Sequence, residues 1–141
     1  MNKNIPTLFF IIIFLSCTSN EKLTLNSIFN QQKNNNTYIY VPNGSLIKSF
    51  SIIKNHIEYK IGISSNNRII YICTTDEKFS IKGLKINDIL PDSFFKNQFG
   101  YRLGWGYFIE IDSGWYAGFN YQTKPNIESK IEWFFQFDFN N

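Results

Sequence analysis

The strongest constraint on this chain is an alternation of large apolar and polar side chains with a period of two. Ile57, Tyr59, Ile61 and Ile63 are set against Glu58 and Lys60. Nearer the end, Ile131, Trp133, Phe135, Phe137 and Phe139 alternate with Glu132, Phe134, Gln136 and Asp138. Successive side chains of a strand point to opposite faces, so this period builds sheet, and a face as apolar as the last one belongs on a core. Composition acts in the same direction. The 15 Phe, 8 Tyr and 3 Trp favour strands, and Ala117 is the only alanine, which removes the best helix former.

Read along its length, the sequence predicts strands over 38–41, 46–53, 56–63 and 68–74. Pro42-Asn43-Gly44 and Ser64-Ser65-Asn66-Asn67 supply turns between them, because Asn and Gly tolerate the left-handed backbone that tight connections need. The middle changes character. Ile89, Leu90, Phe94, Phe95 and Phe99 form an imperfect helical stripe behind Asn87 or Asp88 as cap, with Pro91 in the first turn, and predict one short helix near 88–97. Strands return over 107–111, 115–121 and 131–139, the first two joined at Asp112-Ser113-Gly114. The expected fold class is α+β: a mainly antiparallel, curved sheet of about seven strands packed over one short helix, with an all-β sandwich or small barrel as the alternative.

The first residues follow other rules. Lys3 lies in a short polar stretch, eight apolar residues follow from Leu8 to Leu15, and Ser16-Cys17 closes the run. A membrane-spanning helix needs about 20 apolar residues, so the layout fits a secretory signal peptide instead. Phe14-Leu15-Ser16-Cys17 resembles the lipobox of bacterial lipoproteins. That resemblance implies cleavage before Cys17, lipidation of that cysteine, and a lipid-anchored protein of the cell envelope, at the outer membrane on its periplasmic or outward side. The expected organisation is a signal peptide over 1–16, the lipidated Cys17 with a polar tether over 17–37, and a single β-rich domain over 38–141. Within the tether, Leu23, Leu25, Ile28 and Phe29 are apolar enough to dock as a short edge segment. The mature domain resembles in layout the small uncharacterised envelope lipoproteins, and that likeness carries no site residues.

Charge and motifs exclude more than they suggest. Without Lys3 the chain has 13 basic and 11 acidic residues, and scattered single cations give no nucleic-acid face. The sequence has no nucleophile elbow, phosphate loop, dinucleotide fingerprint or Cys/His zinc spacing. No cofactor, metal or catalytic residue is assigned. His56 is the only histidine and opens a predicted strand. Asp76 with Glu77, Asp88 with Asp92, and Glu110 with Asp112 are the carboxylate pairs a small hydrolase would need, and each also suits a turn or helix end. Cys73, inside the run Ile69–Cys73, reads as a small buried side chain.

One segment points to recognition. In Tyr101-Arg102-Leu103-Gly104-Trp105-Gly106 two glycines flank a tryptophan, which lets a ligand or another backbone approach the ring. Tyr101, Arg102 and Trp105 are the candidate binding surface, either for a protein partner, whose hot spots favour Trp, Tyr and Arg, or for a glycan stacked on the rings. The competing reading is a hairpin core in which glycine relieves crowding. It is favoured for Trp115 and Phe119 and stands level for the other three. The leading expectation is a non-enzymatic envelope protein that binds another protein, an immunity-type protein being one special case.

Overall fold

The computed structural model describes residues 23–30, 37–120 and 122–139. The expected signal peptide, Cys17 and most of the tether lie outside these residues. Eight strands form: β1 (Tyr38–Tyr40), β2 (Leu46–Lys54), β3 (Ile57–Ile63), β4 (Ile69–Thr74), β5 (Gly100–Arg102), β6 (Gly106–Asp112), β7 (Trp115–Phe119) and β8 (Trp133–Phe137). All pair antiparallel in one curled, half-barrel sheet with the order β1-β2-β3-β4-β8-β7-β6-β5. The fold is therefore β-rich and antiparallel, as the alternation requires. Two meanders, β1–β4 and β5–β7, are joined edge to edge by the last strand.

The seven expected strands are present, and three-residue β5 is the eighth. Two of the connections are two-residue turns with positive φ at both positions. Asn55 (51°) and His56 (63°) join β2 to β3, and Ser113 (44°) and Gly114 (81°) join β6 to β7. This backbone twist matches that of the flanking strands. His56 therefore sits in a turn instead of opening a strand. Its polar ring tolerates the left-handed region, which the β-branched Ile57 after it does not.

The expected helix near 88–97 is reduced to a 3₁₀ helix over Asp92–Lys96. Pro91 explains the late start, because the residue before a proline is pushed out of the helical region. Asp88 does not cap it. Its carboxylate accepts the Lys85 N–H at 2.7 Å and closes a turn of its own.

Both sheet faces are apolar. On one, Phe79, Leu90, Ile109, Ala117, Phe119, Ile131 and Phe134 form a core, continued towards β2–β4 by Phe50, Ile61, Ile69 and Ile72. Two non-strand segments cover this face. Residues 75–99 lay Phe79 against Trp115 and Phe134, with ring centroids 4.8 and 5.3 Å away. The Asn87 N–H donates to the Ile131 carbonyl at 2.8 Å, and the Ile131 N–H donates to the Asp88 carbonyl at 2.9 Å. Residues 23–30 dock beside the start of β4 through Asn26 N–H to Ile69 O (2.7 Å) and Ile69 N–H to Ser27 O (2.9 Å). Leu23, Leu25 and Phe29 pack beneath them.

The opposite face gathers Val41, Tyr71, Phe108, Phe135 and Phe137. Phe134 and Phe135 are neighbours on β8 with opposite orientations, and both are fully buried. A wet face, expected from Glu132 and Gln136, is thus confined to the ends of the central strand, because β8 carries cover on both sides.

Candidate binding surfaces

The glycines among the aromatic residues have a steric cause. Gly118 on β7 faces the ring cluster around Phe135, and a Cβ there would lie 2.0 Å from Cε2 of Trp133. Gly100 on β5 would place its Cβ 2.4 Å from the Phe108 ring. Strands lie about 4.8 Å apart, so a bare position on β7 leaves a slot that only a large ring on a neighbouring strand can fill. Trp133 fills it. Trp105, from the turn between β5 and β6, packs edge-on against Trp133 and Phe135 at 5.4 and 4.5 Å. Trp105 is half-buried and belongs to this cluster.

The three residues singled out in the sequence therefore do not share one surface. Trp105 and Arg102 lie on the Phe135 side, where the Arg102 guanidinium sits 6.0 Å from the centre of the Phe139 ring. Tyr101 pairs with Tyr107 in register and meets its ring at a tilt, with centroids 4.6 Å apart, on the opposite face. Trp115 and Phe119 are packing residues, as favoured, with Phe119 buried.

Exposure concentrates beside them. Leu103 is 86 % exposed and Tyr101 41 %. The Trp105 N–H donates to the Arg102 carbonyl at 3.0 Å and closes a tight turn whose apex is Leu103-Gly104. Gly104, at φ +74°, supplies the left-handed position, and Leu103 is held out at the tip. Sequence reasoning missed Leu103. The signal was its place before a turn glycine, where no strand neighbour can cover it. The other end of the sheet repeats the pattern: Tyr38, Tyr40 and Leu46 are exposed, and Tyr40 stands directly opposite Leu46. Both patches lie on edge strands, β5 and β1, whose outer sides have no pairing strand among the described residues.

One carboxylate of each candidate pair is occupied by backbone: Asp76, Asp88 and Glu110. Asp76 accepts N–H groups from Glu58 and Lys78, both at 2.9 Å, and these two bonds hold its carboxyl below the usual range. Glu110 accepts the Gly114 N–H at 2.9 Å across the β6–β7 turn. Asp112 meets Lys82 at 3.5 Å in an exposed ion pair. No group of three metal-binding side chains occurs among the described residues. Cys73 borders a shallow cavity of about 450 Å³ with Ser51, Glu58, Lys60 and Thr75. Burial pushes its thiol up despite the opposing pull of Tyr71 and Lys60, so it stays protonated and a poor nucleophile.

Comparison of the chain with models of known protein families, with curated proteins and with solved structures finds no match.

Proposed function

We propose that the chain is a non-enzymatic lipoprotein of the bacterial cell envelope that binds another protein through the open edge at β5. One observation carries the reading. A strand edge with no pairing strand among the described residues carries exposed Tyr101 on one face, exposed Arg102 on the other and the 86 % exposed tip residue Leu103 at its end. Such an edge offers free N–H and C=O groups to an incoming strand. Tyr and Arg are residue types that dominate binding hot spots, and an exposed leucine supplies an apolar anchor for a partner's pocket. The membrane anchor rests on the Ser16-Cys17 lipobox. The non-enzymatic reading is supported by Asp76, Asp88 and Glu110, each of which spends its carboxylate on a backbone N–H.

Two experiments test the proposal. Affinity capture from native envelopes, comparing the wild-type chain with Leu103→Ser and Tyr101→Ala, is expected to retain one protein that both substitutions release. Retention of that protein by both variants would sink the β5 edge as its site. Labelling with a palmitate analogue is expected to mark the wild-type chain and leave Cys17→Ser unmarked. Equal labelling of the two would remove the lipid anchor. Trp105→Ala is not a clean probe, since its ring packs on Trp133 and Phe135.

A further inference from the structure

At one end of the sheet, the β1–β2 turn, the β3–β4 turn, the docked residues 23–30 and the end of β8 converge on a cleft of about 650 Å³. This lies within the range of roughly 300–1,000 Å³ typical of ligand pockets. Its polar wall is rich in carboxamides, with Asn43 from the first turn, Asn66 from the second and Asn26 from the docked segment. Arg68 and Asp138 add one charge of each sign, and half-buried Ile70 supplies the apolar part beside the buried Phe137.

The polar groups are held in place before any ligand arrives. The Asn43 Oδ1 accepts the Ser45 N–H at 3.0 Å, and the Asn66 Oδ1 accepts the Ser64 hydroxyl. Each carboxamide is pinned by its oxygen, which leaves its NH₂ group as a donor. Arg68 is fixed by Nη1 donating to the Asn26 carbonyl at 3.1 Å. Its backbone N–H donates to the Ser64 hydroxyl oxygen at 3.2 Å. Positioned groups of this kind lose little entropy on binding.

The chemistry selects a class of ligand. Arg68 and Asp138 cancel in charge, so the cleft has no net preference for an anion or a cation. Fixed amide donors in an uncharged setting suit neutral groups with acceptor oxygens, as hydroxyls are. The aliphatic Ile70 suits the C–H face of a pyranose ring. We propose that this cleft binds a neutral saccharide. The site shares no residue with the β5 edge and is independent of the protein-binding reading.

The test is a ¹H–¹⁵N NMR titration of the full chain in phosphocholine micelles, a detergent that carries no sugar. Maltose, cellobiose, lactose and N,N′-diacetylchitobiose are the saccharide probes, with sodium sulfate as the anion probe. At least one disaccharide is expected to shift the Asn43 and Asn66 side-chain NH₂ signals and the Arg68 Nε–H signal saturably. Asn66→Ala is expected to weaken that binding about tenfold, the worth of one good hydrogen bond, while Leu103→Ser leaves it unchanged. Signal dispersion elsewhere in the spectrum reports that each variant is folded. Absence of these shifts with all four disaccharides overturns the proposal. So does a response to sulfate alone, which would make Arg68 a simple anion contact.

Discussion

At Gly118 a single hydrogen atom decides how the rings pack. With Trp133 Cε2 only 2.0 Å from the place of a Cβ, Gly118→Ala must displace an indole or bend β7. Overpacking of this kind costs roughly 1–3 kcal/mol, and urea unfolding is expected to show a loss in that range. Trp105→Ala removes a half-buried ring from the same cluster and should cost about 2–3 kcal/mol, below the full range for a buried tryptophan. Asp76 gives a pH signature. Its carboxyl is held below the usual range by the Glu58 and Lys78 N–H groups, so its stabilising effect is complete above about pH 4 and fades as pH falls through the folded value. Acid unfolding followed between about pH 5 and pH 2 should be less steep in Asp76→Asn. A curve identical to wild type would show that the two bonds do not distinguish folded from unfolded chain. These residues were unevenly legible. Trp115 and Phe119 declared themselves as packing residues by alternation. Tyr101 and Trp105 did not, because one shift in register places them on opposite faces and no local pattern reveals it.

At the scale of elements, the strands were the legible part, since β-branched and aromatic runs bounded by Asn, Gly and Pro leave few alternatives. The middle segment was not. Its apolar residues were spaced as a helical stripe, yet most of 75–99 is turns, isolated bridges and irregular chain packed on the sheet core, with Phe79 and Leu90 as its anchors. Apolar spacing reports which residues are buried, and for an irregular cover it does not report the backbone that buries them. Leu90 is 2 % exposed, and Leu90→Ala is expected to cost about 2–4 kcal/mol in the same unfolding assay. A loss below about 0.5 kcal/mol, the scale of a surface change, would mean that the cover is not anchored there.

Over the whole molecule, stability should follow strand order more than sequence order. β4 and β8 are paired on both sides and carry Ile72, Phe134 and Phe135 with no exposed surface, whereas β1 and β5 are three-residue edges. Native-state hydrogen exchange is expected to be slowest in β4 and β8 and fastest in β1 and β5. Comparable protection in β5 would contradict the free edge on which partner binding depends. The strand order itself was beyond sequence reading, because the pairing of β8 with β4 spans the whole intervening chain and no local turn specifies it.

The position of β8 also makes the fold a check on completeness. A ribosome delivers β1–β4 and β5–β7 well before Trp133–Phe137, and until that last strand arrives the two meanders have no shared hydrogen bond to hold them as one sheet. A chain that stops short of Trp133 is therefore not a slightly smaller protein but two meanders with no ladder between them and with greasy, unpaired margins. Such a product would be conspicuous to proteases, while an intact chain hides both margins in one late step.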